Sequence, residues 1–119
     1  MVEELLPNQV FVFGSNMNGF HYGGAAQTAY KKFGAEWGIG EGLSGQTYAY
    51  PTLERDMNKR GMRGLEYSRD RLYATARALP DKEFLLTPVG TGIAGFTYEQ
   101  INELFRDLPT NIKKVGWRG

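Results

Sequence analysis

Two stretches of this sequence carry the residue types and spacing suited to holding phosphate. In each, a short apolar run leads into a glycine-rich turn, and a helical pattern begins just beyond: Val10 to Gly24 in the first, Phe84 to Phe96 in the second. Glycine lets the backbone approach an anion closely, a turn can aim several amide N–H groups at one point, and a helix N-terminus adds a favourable dipole. A diphosphate lying between two such turns would be held by main-chain donors. Each amide bonded to an ionised oxygen contributes about 1.5–3 kcal/mol net, so several converging donors reach micromolar affinity without a lysine. The competing reading is that the glycines only permit tight strand-to-helix turns. For one turn the two readings weigh equally, but a pair in one small domain favours a site.

Other candidate groups are fewer. The single histidine, His21, is the only side chain that titrates near neutrality without perturbation. At a loop–helix junction it could contact phosphate, act as acid or base, or pack as a hydrogen-bonded core residue. Glu36 and Glu41 could position water or ribose hydroxyls, although solvated loop acids are the commoner case. Tyr22, Trp37, Tyr48 and Tyr50 could stack on a base or fill a core. The basic run from Arg55 to Arg63 reads as a solvated face. Gly14-Ser15-Asn16 lacks the spacing of a nucleophile elbow.

Composition narrows the chemistry further. With no cysteine among 119 residues, disulfides, thiolate catalysis and thiolate metal sites are excluded, and one histidine cannot build a multi-histidine zinc centre. No metal or other cofactor is expected. Fourteen basic and 13 acidic residues leave a formal charge of +1, which argues against long nucleic acid as a partner. No segment reads as a signal peptide or a membrane span, so a cytoplasmic location is the expectation.

The elements that must position these residues follow from the apolar pattern. Val10 to Phe13 reads as a buried strand. Ala25, Ala26, Ala29, Tyr30 and Phe33 recur at helical spacing until Gly34. Glycines at 34, 38, 40, 42 and 45 forbid a regular element up to Gln46 unless packing imposes one, and they would permit hinge motion over a ligand. Thr47 to Tyr50 reads as a strand closed by Pro51, and Leu53 to Gly64 as a surface connection free to move. Leu65, Leu72, Ala76 and Leu79 mark one helix face, ended by Pro80. Phe84 to Thr87 is the next strand. Thr97 with Gln100 forms a capping-box signature ahead of Ile101, Leu104, Phe105 and Leu108, and Ile112 to Trp117 is the last strand. Strands alternating with helices predict an α/β fold of one small domain, a mixed sheet in three α/β/α layers, with ligands at the carboxyl ends of strands.

The glycine segments also carry a resemblance. Asn16-Met-Asn-Gly-Phe-His-Tyr-Gly-Gly-Ala-Ala resembles the macrodomain pattern of an asparagine after a strand followed by a glycine run opening a helix, with His21 and Tyr22 standing where the family has glycines. Pro88-Val-Gly-Thr-Gly-Ile-Ala-Gly-Phe resembles the family's other phosphate loop, the downstream helix and strand match its order, and the resemblance as a whole covers most of the chain from Val10 onward. Gly14-Ser15-Asn16 and the stretch from Gly38 to Gln46 are similar to a group of short bacterial and phage proteins.

The resemblance implies a macrodomain-like fold and an ADP-ribose-like nucleotide as ligand. It places Gly14, Ser15 and Asn16 at the site, Asn16 facing the distal ribose. It wraps the diphosphate with Gly23, Gly24, Ala25 and Ala26 on one side and Gly90, Thr91, Gly92, Ile93, Ala94 and Gly95 on the other, with Phe96 flanking the distal ribose. The family's adenine-reading aspartate lies on a strand that would precede this sequence. The terminal ADP-ribose–protein glycohydrolases, which the chain is also similar to, use a lysine and an aspartate; here those places hold Leu53 and Ala94. Two functions follow as expectations: a reader or sequestering module for ADP-ribose or a related nucleotide diphosphate or cyclic nucleotide, or a hydrolase in which Asn16 and His21 orient water. A protein-interaction domain with purely architectural turns is the third reading.

Overall fold

The apolar run that opens at Val10 is buried on both faces, as a near-continuous hydrophobic stretch requires. It belongs to β1 (Gln9–Asn16), the central strand of a five-stranded sheet in the computed structural model, which describes residues 2–117. Phe11 and Phe13 project to one side, where they pack with Ala26, Ala29 and Phe33 around α1 (Gly24–Lys32). Val10 and Val12 project to the other, into a larger cluster with Leu65, Leu72 and Ala76 of α2 (Met62–Ala78) and Ile101 and Leu104 of α3 (Tyr98–Leu104). Helices therefore cover both faces.

The remaining strands are β2 (Gly42–Ser44), β3 (Thr47–Leu53), β4 (Glu83–Leu86) and β5 (Ile112–Lys114), in the sheet order β2-β3-β1-β4-β5. β3 and β4 flank β1 in parallel, β5 adds in parallel to β4, and β2 runs antiparallel to β3. After β1 the chain goes to one side of it, to β3, and then crosses back to β4 on the other. The order of the parallel strands thus reverses between β1 and β4, and at such a switch point the loops leaving the two strands part and open a crevice at their carboxyl ends.

Two expectations are corrected by packing. The glycine-rich stretch 34–46 contains β2, paired through Gly42, Leu43 and Ser44 with Ala49, Tyr48 and Thr47. Nor does Pro51 close β3, which runs on to Leu53. β2 ends its pairing at Ala49, so Pro51 lies where β3 has become an edge, and its carbonyl accepts from Arg60 Nη1 at 2.9 Å instead of from a strand. The last strand is also shorter than the pattern implied, ending at Lys114.

The charged connection after β3 is tied down. Arg60 N donates to Thr52 O at 3.0 Å, Arg60 Nη1 to Ser68 Oγ at 2.9 Å, and Leu53 bridges Lys59. At α3 the capping box is complete: Gln100 N donates to Thr97 Oγ1 at 3.0 Å and Thr97 N to Gln100 Oε1 at 2.9 Å. Thr97→Ala removes one of these bonds outright and should lower stability by about 1 kcal/mol. Urea unfolding checks this; an unchanged midpoint would show that packing alone sets the helix start. Among the described residues no helix is long and apolar enough to cross a membrane.

Candidate functional site

The crevice at the switch point is a cavity of about 910 Å³. All four parallel strands reach it at or just beyond their carboxyl ends: Gly14 to Asn16 from β1, Thr52 and Leu53 from β3, Thr87 to Val89 after β4, and Val115 and Gly116 after β5. Both glycine turns line it. The first contributes Tyr22 to Ala26 and the second Gly90, Gly92, Ile93 and Ala94.

The first turn delivers an open helix N-terminus. Gly23 is the N-cap of α1 in an extended conformation, φ −157° and ψ 172°, and no side chain caps the helix. Among the described residues the first amide of this helix to find a main-chain acceptor is that of Gln27, on Gly23 O at 3.3 Å. The amides of Gly24, Ala25 and Ala26 are thus the orphan donors of a helix start. Without a carboxylate in that first turn, the positive end of the helix dipole is uncompensated.

The second turn works differently from the expectation. The helix beyond it, α3, is capped by Thr97 and Gln100 and none of its residues lines the cavity, so the donors at the wall belong to the turn itself. Its curl is fixed by Thr91 Oγ1 donating to Pro88 O at 2.7 Å, Gly95 N to Gly92 O at 3.0 Å and Phe96 N to Gly90 O at 2.9 Å. The amides of Gly92, Ile93 and Ala94 have no hydrogen-bond acceptor among the described residues. Two sets of unpaired main-chain donors, from opposite sides of the switch point, therefore belong to the walls of one cavity.

Gly23 and Gly92 stand apart from the structural glycines. Neither has a positive φ, and a Cβ at either would meet nothing within 4 Å. Fold geometry asks for glycine at neither position.

Known protein families, curated proteins and solved structures offer no match to this chain. The site is accordingly described from its own chemistry. Asn16 lines the cavity but is committed to the loop that follows: its Nδ2 donates to Phe20 O at 2.8 Å and its Oδ1 accepts from Phe20 N at 3.0 Å. Ser15 Oγ donates to Gly40 O, Thr52 Oγ1 to Ser15 O, and Thr87 Oγ1 to Val12 O.

Several sequence candidates fall elsewhere. His21 is not among the lining residues; it is 2% exposed, boxed by the rings of Phe13, Tyr30 and Trp37, with Nε2 2.9 Å from Glu36 O. Phe96 turns into the core because the Phe96–Gly90 hydrogen bond curls the turn inward, and Lys59 Nζ sits 4.7 Å from its ring centre. Thr91 and Gly95 shape the turn without lining the cavity. Glu41 lies 3.4 Å from Arg71 Nε, away from the cavity. Tyr48 and Tyr50 are core residues whose phenols burial pushes up, Tyr50 further, its hydroxyl donating to Leu65 O.

The loop 34–46 is no lid. None of its residues lines the cavity, and it is fastened by the Ser15–Gly40 and His21–Glu36 contacts, by Gly38 N on Gly19 O at 2.9 Å, and by β2.

Lining residues that had no binding role in the sequence reading include the strand ends across the switch point, Thr52, Leu53 and Thr87 to Val89, with Met57, Phe20, Val115 and Gly116. Their signal was positional: each lies at or near a strand's carboxyl end or in the loop that leaves it.

Proposed function

We propose that this protein binds ADP-ribose or a related nucleotide diphosphate, on a macrodomain-like scaffold, as a reader or sequestering module. The observation that carries the reading is that the uncapped start of α1 and the turn whose Gly92 to Ala94 amides lack an acceptor among the described residues line one cavity. Unpaired N–H groups in a concave site are expensive to leave so unless water or a ligand satisfies them. Their arrangement favours an anion with two charged centres, one for each turn. The cavity volume falls in the range of small-ligand pockets, which run from roughly 300 to 1,000 Å³.

The same lining favours binding over hydrolysis. It consists of glycine, apolar side chains, Tyr22, and hydroxyl and amide groups already donating to main chain, while His21 packs behind it. Water activation at neutral pH calls for a positioned group that exchanges a proton near that pH. Asn16, clamped to Phe20 by both its side-chain atoms, is a shaping residue in this reading.

Thermal unfolding in the presence of ADP-ribose, cyclic ADP-ribose, ADP and UDP-sugars tests the proposal. A ligand present at 100 times its Kd adds about 2.7 kcal/mol of stability, enough to raise Tm by several degrees. No shift with any of them at millimolar concentration would contradict it.

A further inference from the structure

We infer that Tyr22 is a stacking platform for the base of the bound nucleotide, and that the site takes adenine and guanine nucleoside diphosphates alike. The inference rests on the diphosphate reading and extends it to the other end of the ligand.

Tyr22 immediately precedes Gly23, so its Cα is one peptide step, about 3.8 Å, from the N-cap of α1. A phosphate on that helix start leaves the nucleoside within reach of the Tyr22 ring. This ring is 69% exposed and belongs to the cavity wall. It is nevertheless braced: its centre lies 5.0 Å from that of Trp37 with the planes crossed at 78°, and 5.8 Å from Phe20. Phe20, itself on the cavity wall, stacks on Trp37 at 5.7 Å with planes 22° apart. Trp37 is supported from beneath by His21 and Tyr30. An aromatic side chain that is both largely exposed and fixed in place loses little freedom on binding a flat partner. Stacking is the recognition such a group offers, and it accepts every base because every base has a π-face.

No charged side chain lines the cavity among the described residues, so no ionised group selects a base edge. Ser15, Asn16, Thr52 and Thr87 each already donate to a main-chain carbonyl, which fixes their orientation toward the protein. Affinity therefore divides between main-chain donors for the phosphates and the Tyr22 face for the base, with no charged side chain on the cavity wall to set adenine against guanine.

Calorimetric titration of the parent, Tyr22→Ala and Tyr22→Phe with ADP, GDP and inorganic pyrophosphate separates the two claims. Expected for the parent are ADP and GDP affinities within a few-fold of each other and a weaker pyrophosphate. Tyr22→Ala should weaken ADP and GDP by about 10- to 100-fold, the range that base–aromatic stacking supplies, leave pyrophosphate unchanged, and be rescued by phenylalanine. Unchanged ADP binding in Tyr22→Ala or pyrophosphate binding as tight as ADP would each overturn the platform, and a preference above tenfold between ADP and GDP would overturn the tolerance of both bases, each while sparing the diphosphate site. A parent that binds none of the three overturns the platform, and ADP-ribose titrated alongside decides the diphosphate site, which falls only if that ligand also fails to bind.

Discussion

Alanine at both Gly23 and Gly92 should remove nucleotide diphosphate binding from a protein that remains at least as stable as the parent. The free protein has room for both methyl groups, since neither Cβ would come within 4 Å of another group and neither residue has a positive φ. Replacing glycine at a compatible position stiffens the unfolded chain and adds about 0.4–1 kcal/mol per site. In a complex of the proposed kind the same methyl groups would stand in the path of phosphate oxygens approaching the amides. Losing one amide–anion bond at each turn, at about 1.5–3 kcal/mol apiece, costs on the order of 10²- to 10⁴-fold in affinity. Thermal unfolding of the variant and calorimetry with ADP-ribose supply the two readouts. A variant that binds as tightly as the parent would remove the turns from the site. One that unfolds early would return these glycines to architecture.

At Gly19 the same substitution should have the opposite effect. Its φ is +72°, and a Cβ there would lie 2.3 Å from Gly38 C and 2.4 Å from Ile39 N, both main-chain atoms that cannot rotate away. Left-handed backbone costs an alanine about 1–2 kcal/mol, and relieving the overlap must part the 16–21 segment from the 34–46 loop. The Gly38–Gly19 hydrogen bond at 2.9 Å and the Asn16–Phe20 pair would be strained together. A loss of about 4 kcal/mol or more is expected, among the largest effects of single substitutions and a large share of a small domain's total. Gly38→Ala is the control, because φ is +93° there but the Cβ meets nothing within 4 Å; only the conformational cost of about 1–2 kcal/mol should appear. Equal losses in urea unfolding for the two variants would show that the close approach of the loops is not what holds them.

The parts of the molecule visible in the sequence are those where local pattern and tertiary role coincide. β1 is buried on both faces, so Val10 to Phe13 is uninterrupted in apolar character; α3 carries its own start in Thr97 and Gln100. β2 was hidden because Gly42-Leu43-Ser44 has no strand pattern of its own. It pairs with β3 beside a crossing of Gly34 and Gly45 so close that a Cβ on Gly45 would lie 2.6 Å from Gly34 O. Pro51 misled for a related reason, since only the sheet order reveals that β3 is an edge by then.

Within the candidate site, the two turns were legible as glycine-rich strand exits, but the direction of each side chain was not. Phe96 and Ile93 belong to one turn, yet its curl buries the first and leaves the second 93% exposed. His21 and Tyr22 are neighbours in sequence, one sealed in an aromatic box and the other lining the cavity. No periodicity marks such a reversal in a loop, because it depends on what Trp37 and Phe13 occupy.

Two main-chain cradles gripping one ligand are read directly by amide chemical shifts. Titrating ADP-ribose into isotope-labelled protein should move the resonances of Gly24 to Ala26 and of Gly92 to Ala94 together, along saturation curves with a single Kd. Shifts at only one turn, or at neither while the ligand binds elsewhere, would contradict that shared grip.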